Sequence, residues 1–125
     1  MPMKRIHLEL ARDHEHPEGR RDCGYELIAP IDELGHIVVA EWKGNRLACR
    51  VVRFWADADK EIGHLVHKPG GAWAFRYDVH GDVDDDETGY RFDRHAFLPG
   101  EYVSIKEHDG PTRTFRVVSV RDVNG

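Results

Sequence analysis

The chain has 125 residues, of which 40% are hydrophobic and 33% charged, and its 18 basic and 23 acidic side chains give a formal net charge of −5. This length and composition predict one folded domain, residues 1–125, and exclude a disordered chain. The lack of a long apolar run and of a signal-like N-terminus predicts a cytoplasmic protein with no membrane segment. The acidic balance disfavours nucleic acid as a partner.

The first half of the chain alternates apolar and polar residues with a period of two, which is the pattern of half-buried strands. The predicted strands cover residues 6–10, 24–29 and 47–55. A polar loop, residues 12–22, separates the first two of them. In the third strand Leu47, Cys49 and Val51 are predicted to share one face, and both faces are apolar enough for a central position in a sheet.

Residues 36–44 carry conflicting signals for secondary structure. Leu34, Val38 and Trp42 follow one another at intervals of four, which favours a short helix with a C-terminal cap at Gly44 and Asn45. Three consecutive β-branched residues in the middle of the segment favour a strand instead. The sequence slightly favours a short helix here and leaves both structures open.

The second half of the chain predicts one weaker strand and two hairpins. The strands cover residues 62–68, 73–79, 90–92, 101–107 and 112–120. The first hairpin has an acidic tip, residues 81–89, and the second turns through an Asp-Gly pair that tolerates positive φ. Together these elements predict a mainly β, antiparallel small barrel or rolled sheet of about seven or eight strands, with at most one short helix.

Aromatic side chains on the predicted strands are the candidates for a binding surface. These side chains are Trp55, Trp73, Tyr77, Tyr90 and Phe92. Exposure of several of them in one patch would form a pocket or an interface, whereas burial of all of them would place the binding surface elsewhere.

Motifs of common enzyme classes are missing from the sequence. It contains neither a phosphate-binding loop nor a dinucleotide fingerprint. Ser104 and Ser119 lie within predicted strands rather than at a nucleophile elbow, and Cys49 is predicted to be a small buried hydrophobe. We therefore expect a binding module rather than an enzyme, with no cofactor and no catalytic residue. Its partner would be a protein, a small ligand or a second copy in a homodimer.

The alternative is a metal-dependent enzyme that uses histidines and the carboxylates of the acidic tip. The candidate ligands are His14, His16, Asp82, Asp84 and Asp86. The two histidines share one face of an extended chain, and the three aspartates follow the alternate spacing of a calcium loop. His64 and His67 would share a face only in a helix, whereas their context predicts a strand. The acidic tip is the place to expect a cation, because its five carboxylates equal the net charge.

Two resemblances to known families follow from particular segments. Residues 97–105, Phe-Leu-Pro-Gly-Glu-Tyr-Val-Ser-Ile, resemble the strand entry of ferredoxin-reductase-type flavin barrels, but residues 113–119 lack the Arg-x-Tyr-Ser motif of that family. This resemblance implies a barrel without a flavin site. Residues 64–75, 89–92 and 99–105 together resemble a family of small uncharacterised alphaproteobacterial proteins. That resemblance implies a bacterial single-domain protein and carries no activity with it.

Overall fold

A computed structural model describes residues 3–12, 16–68, 72–78, 92, 96–106 and 111–123, and it describes the backbone alone for residues 87–90. In chain order its elements are β1 (Met3–Leu10), β2 (Arg20–Pro30), α1 (Val39–Lys43), a 3-10 turn (Arg46–Ala48), β3 (Arg50–Trp55), β4 (Glu61–His67), β5 (Trp73–Tyr77), β6 (Glu87–Tyr90), β7 (Tyr102–Lys106) and β8 (Thr112–Asp122).

The strands form a closed antiparallel barrel. Each strand pairs with the next one in the sequence, and β8 returns to pair with β1. At this seam Lys4 lies opposite Asp122, and the backbone N–H of Val123 donates to the carbonyl oxygen of Met3 at 3.2 Å. The predicted mainly β barrel with one short helix is confirmed.

The inward-facing side chains of the strands fill the barrel and form its core. In β1 the alternation is clean, because Ile6, Leu8 and Leu10 are buried while their neighbours are partly exposed. Tyr25 packs at the centre, with its ring 5.2 Å from that of Phe75 and 5.0 Å from that of Phe115. The period-two pattern in the sequence therefore reports which side chains face inward.

Helix α1 packs against one end of the barrel through Trp42. The indole Nε1 of Trp42 donates to the carbonyl oxygen of Leu65 at 3.0 Å, and the two rings of Trp42 and Trp73 meet edge to face at 5.4 Å. Phe92 and Phe97 meet in the same way at 5.1 Å. The hydrogen bond satisfies the buried indole N–H, which allows this large ring to be buried.

In residues 36–44 the strand signal and the helix signal both correspond to observed structure. Ile37 forms an isolated antiparallel bridge with Ile31, and the helix begins only at Val39. The predicted C-terminal cap at Gly44 and Asn45 is confirmed. Gly44 is the C-cap residue, with a right-handed φ of −85°, and the side-chain amide of Asn45 donates to the carbonyl oxygen of Glu41 at 2.8 Å.

Two predicted boundaries are also wrong. The polar loop was expected to reach residue 22, but β2 begins at Arg20 because Arg20 pairs with Leu10 across an irregular register. The third strand was expected from residue 47, but β3 begins at Arg50, and Leu47 lies on the 3-10 turn with 82% of its surface exposed. Residues 69–71, most of the predicted acidic tip and the predicted Asp-Gly turn lie outside the described residues.

The antiparallel order places four hairpin connections at one end of the barrel. These connections follow β1, β3, β5 and β7. The opposite end carries α1, the 3-10 turn, the start of β1 and the end of β8. We call these ends the hairpin end and the α1 end.

Candidate functional site

Three of the five predicted binding aromatics lie inside the barrel. The exposed fractions of Trp73, Tyr77 and Phe92 are 1%, 4% and 1%, and all three belong to the hydrophobic core. They do not form an exposed patch. A role for these three rings in binding would be indirect, through the residues packed around them, and it stays a prediction. The side chain of Tyr90 lies outside the described part of the chain.

Trp55 is the predicted aromatic that reaches the hairpin end. Its half-buried ring packs at the edge of the core, where the Cζ atoms of Arg53 and Arg113 lie 4.4 Å and 5.4 Å from the ring centroid. Arg53 is also 3.8 Å from the carboxylate of Glu61 on the next strand. Positive charge and an aromatic face therefore meet at this end of the barrel.

Most of the predicted metal ligands fall outside the described residues. They are His14, Asp82, Asp84 and Asp86. His16 is described, and its carbonyl oxygen accepts a hydrogen bond from the N–H of Gly19 at 3.0 Å, which closes a turn. Among the described residues, no group of three His, Cys, Asp or Glu side chains is placed to hold a metal ion. The metal hypothesis stays a prediction about the acidic tip.

His64 and His67 lie on β4, and they face different surroundings, as the strand prediction requires. The Nδ1 atom of His64 is 3.1 Å from the carboxylate of Asp78. The ring of His67 instead packs on Trp73, with centroids 4.5 Å apart. The two imidazoles therefore do not form a pair of ligands.

Both cysteines are free thiols in the core. Cys23 and Cys49 are fully buried and form no disulfide. Burial raises the pKa of the Cys49 thiol to about 11, and burial is also the main cause of the raised pKa of Cys23. Because the thiolate is the reactive form, Cys49 has the properties of an inert core residue.

We expect neither thiol of the folded protein to react with Ellman's reagent. At pH 8 a thiol with a pKa of about 11 is ionised in roughly one molecule in 1,000. The absorbance of the released thionitrobenzoate should therefore stay at baseline and rise to two equivalents only in guanidinium chloride. A Leu47→Cys variant supplies the matched control, since its third thiol should react within seconds. A rapidly reacting thiol in the unmodified folded protein would contradict the burial.

A cavity lined by arginines lies outside the barrel at the hairpin end. Its volume is about 710 Å³, and it lies where the end of β1 meets the start of β2 and the outer face of β7 and β8. Its lining includes four arginines, which are Arg12, Arg20, Arg21 and Arg116. We call this cavity the arginine cavity.

Irregular pairing of β1 shapes the arginine cavity. The register shifts between Glu9 and Leu10 against β2, and it shifts between His7 and Leu8 against β8. Gly19 lets the chain turn beside β1, since its φ is +74° and an added Cβ would lie 2.6 Å from the carbonyl oxygen of Leu10. Such irregularities bend a strand and re-aim side chains, and they are frequent beside functional sites.

The arginine cavity carries an excess of positive charge. Arg20 is neutralised by Asp22, with donor–acceptor distances of 2.8 Å and 2.6 Å, and this hydrogen bonding lowers the pKa of Asp22. The other three guanidinium groups make no ion pair within the described ranges. Two carboxylates also line the cavity, and that of Glu9 lies 3.1 Å from Nε2 of His7, while Glu18 is exposed.

Hydroxyl groups complete the lining of the arginine cavity. Tyr102 is 54% exposed and lies opposite Arg116, which in turn lies opposite Glu9 across the β1–β8 seam. Thr114 lines the same cavity. The arrangement therefore offers charged and neutral hydrogen-bond donors to a ligand from three strands.

No protein-family model matches this sequence, and no curated protein or solved structure matches it either. The longest described helix, α1, has five residues, and none is long and apolar enough to cross a membrane. The resemblance to a bacterial family stays a prediction.

Proposed function

We propose that the protein is a binding module for a small anionic ligand, which occupies the arginine cavity. One observation carries the proposal. Arg12, Arg21 and Arg116, which come from three separate segments, line the same cavity and make no ion pair among the described residues. Like charges around one cavity repel one another, and an anion that bridges them would reduce this repulsion. Guanidinium groups bind carboxylate and phosphate oxygens with two parallel hydrogen bonds.

The lining favours a polar ligand that carries both anionic and hydroxyl groups. The guanidinium groups and the hydroxyls of Tyr102 and Thr114 can donate hydrogen bonds to anionic oxygens. Glu9 and Glu18 repel a further anion but can accept hydrogen bonds from ligand hydroxyls. A volume of about 710 Å³ suits a small metabolite, and the chemistry is that of a phosphorylated sugar or a hydroxy acid.

The cellular compartment in which we place this binding is the one that the sequence analysis predicts. The protein binds its ligand in the bacterial cytoplasm, and two free cysteines support a reducing compartment. In this proposal a second copy of the chain or a protein partner would bind in response to the ligand and would not occupy the arginine cavity. Nucleic acid is not a proposed partner.

Isothermal titration of the full chain tests the proposal with three probes: inorganic pyrophosphate, citrate and glucose 6-phosphate. We expect at least one to bind saturably, with an affinity that falls as salt rises. Arg116→Ala should weaken that binding by about 10-fold or more, since a hydrogen bond to a charged group contributes about 1.5–3 kcal/mol. Arg116→Lys should give an intermediate loss, because it keeps the charge and loses the bidentate geometry.

Arg5→Ala is the charge-matched control, since Arg5 lies outside the arginine cavity, 3.7 Å from Glu26. Its affinity for the probe should equal that of the unmodified protein. Failure of all three probes to bind, or equal losses in Arg5→Ala and Arg116→Ala, would overturn the proposal.

A further inference from the structure

We infer that a second binding site, at the α1 end, takes an organic carboxylate with an apolar body. The site is a groove of about 420 Å³ on the outer face of β4 and β5, beside α1 and the 3-10 turn. Its apolar lining includes Trp42, Leu47 and Val66, and its cationic lining includes Arg46, Lys68 and Arg76. We call it the α1 groove. It shares no lining residue with the arginine cavity, so the inference is independent of the proposed function.

Hydrogen bonds to β4 fix the wall of the α1 groove. The N–H of Leu65 donates to the carbonyl oxygen of Cys49 at 2.9 Å, and the carbonyl oxygen of Leu65 accepts from the indole of Trp42. The first bond holds the end of the 3-10 turn against β4, and the second holds α1 there. Leu47 lies on that turn with 82% of its surface exposed, and it borders the groove. Leu47 therefore adds exposed apolar surface to a groove that Val66 and Trp42 also line.

The charges that line the α1 groove all have one sign. Among the described lining residues there are two arginines, one lysine and two histidines, and no Asp or Glu. This composition is unusual for a chain with 23 acidic and 18 basic residues. At the margin, Asp78 lies 3.1 Å from His64 and 3.6 Å from Arg50, so its charge is directed to those two side chains. We therefore take Arg46 as the counter-charge for an anionic ligand in this groove.

Arg46 is placed to meet the anionic end of a ligand. Its Cζ atom lies 4.7 Å from the centroid of the Trp42 ring, so the cation–π contact positions the guanidinium group over the groove. Within the part of the chain that the structure describes, Arg46 makes no ion pair. A carboxylate at this point would bind Arg46 while its apolar body covers Leu47 and Val66.

The apolar and the cationic lining residues of the α1 groove together determine which class of ligand fits it. A purely apolar molecule would leave Arg46 without a counter-charge among the described residues, and a small polar anion would leave the apolar lining in contact with water. An organic carboxylate with an alkyl or aromatic body satisfies both surfaces. Both kinds of body present the same chemistry to the groove, and they differ only in shape.

Titration of the full chain with decanoate and with 2-naphthoate, below their aggregation concentrations, tests the inference. Tryptophan fluorescence follows binding, because Trp42 lines the groove. We expect saturable binding of at least one probe, and the stronger binder identifies an alkyl or an aromatic body. Decyltrimethylammonium, which has a similar chain and the opposite charge, should not bind, and citrate should leave this signal unchanged.

Two exposed substitutions locate the site. Arg46→Ala and Leu47→Ser should each weaken binding of the carboxylate by about 5-fold or more, because they remove the counter-charge and the apolar cover. Both side chains are exposed, and equal melting temperatures will show that the variants fold. Arg116→Ala should leave this binding unchanged. Equal binding of the cationic probe, or unchanged affinity in both variants, would overturn the inference, and neither result bears on the arginine cavity.

Discussion

Trp73→Ala is expected to lower the free energy of unfolding by about 3–5 kcal/mol, the range for removing a large aromatic ring from a core. Trp73 is 1% exposed and packs against His67 on one side and Trp42 on the other, with ring centroids 4.5 Å and 5.4 Å apart. Alanine would leave a cavity between β5 and α1 that the hydrogen-bonded indole of Trp42 cannot fill without losing its acceptor.

Urea unfolding followed by far-ultraviolet circular dichroism measures this loss. Leu34→Ala is the matched control, since Leu34 is 69% exposed and its truncation should change the free energy by less than about 0.5 kcal/mol. A loss of less than about 1 kcal/mol in Trp73→Ala would contradict the position of this ring in the core. A domain of this size has a total stability of about 5–15 kcal/mol, so the expected loss is a large fraction of it.

Gly24→Ala is expected to be as damaging as the loss of the tryptophan, although it adds a single methyl group. A Cβ at Gly24 would lie 1.9 Å from the carbonyl oxygen of Leu8 and 3.0 Å from the ring of Phe54. The first contact is with backbone, so it cannot be relieved by a rotamer change, and β1 would have to separate from β2. We expect a loss of more than about 3 kcal/mol, beyond the usual range for overpacking.

Gly44→Ala is the control for this substitution. The nearest atom to its added Cβ is the carbonyl oxygen of Glu41 at 3.9 Å, and the backbone of Gly44 is right-handed helical. Alanine should therefore be neutral here or stabilise the protein by about 0.4–1 kcal/mol, through the unfolded chain. Equal melting temperatures for the two variants would show that the close approach of β1 and β2 at Gly24 is incorrect.

The period-two pattern of the sequence was sufficient to predict the strands and the barrel. A strand that buries one face has apolar residues at every second position, and this pattern is visible within a few residues of the chain. The pattern at Ile6, Leu8 and Leu10 survives intact in the structure. Alternation failed at Leu47, where an apolar residue continues the pattern of β3 outside the strand. Three residues of 3-10 turn change the direction of the chain there and turn Leu47 into solvent.

The arginine cavity could not be predicted from the sequence, because its members are far apart in the chain. Arg12 and Arg21 flank a turn, and Arg116 joins them only when β8 closes on β1. An arginine in isolation is typical of a solvated strand face. The α1 groove was not predicted because Leu47 was expected to lie on the third strand, and its place on the 3-10 turn has no signal in the alternation.

The β1–β8 seam also determines when a newly made chain can finish folding. Lys4 and Asp122 pair across it although 118 positions separate them in the sequence. On the ribosome β1 can pair with β2 early, but its other edge has no partner until the last strand has emerged. An unpaired edge of this kind can recruit strands from other chains, and contacts between distant segments form slowly. The nascent protein is therefore most prone to aggregation between the synthesis of its first strand and that of its last.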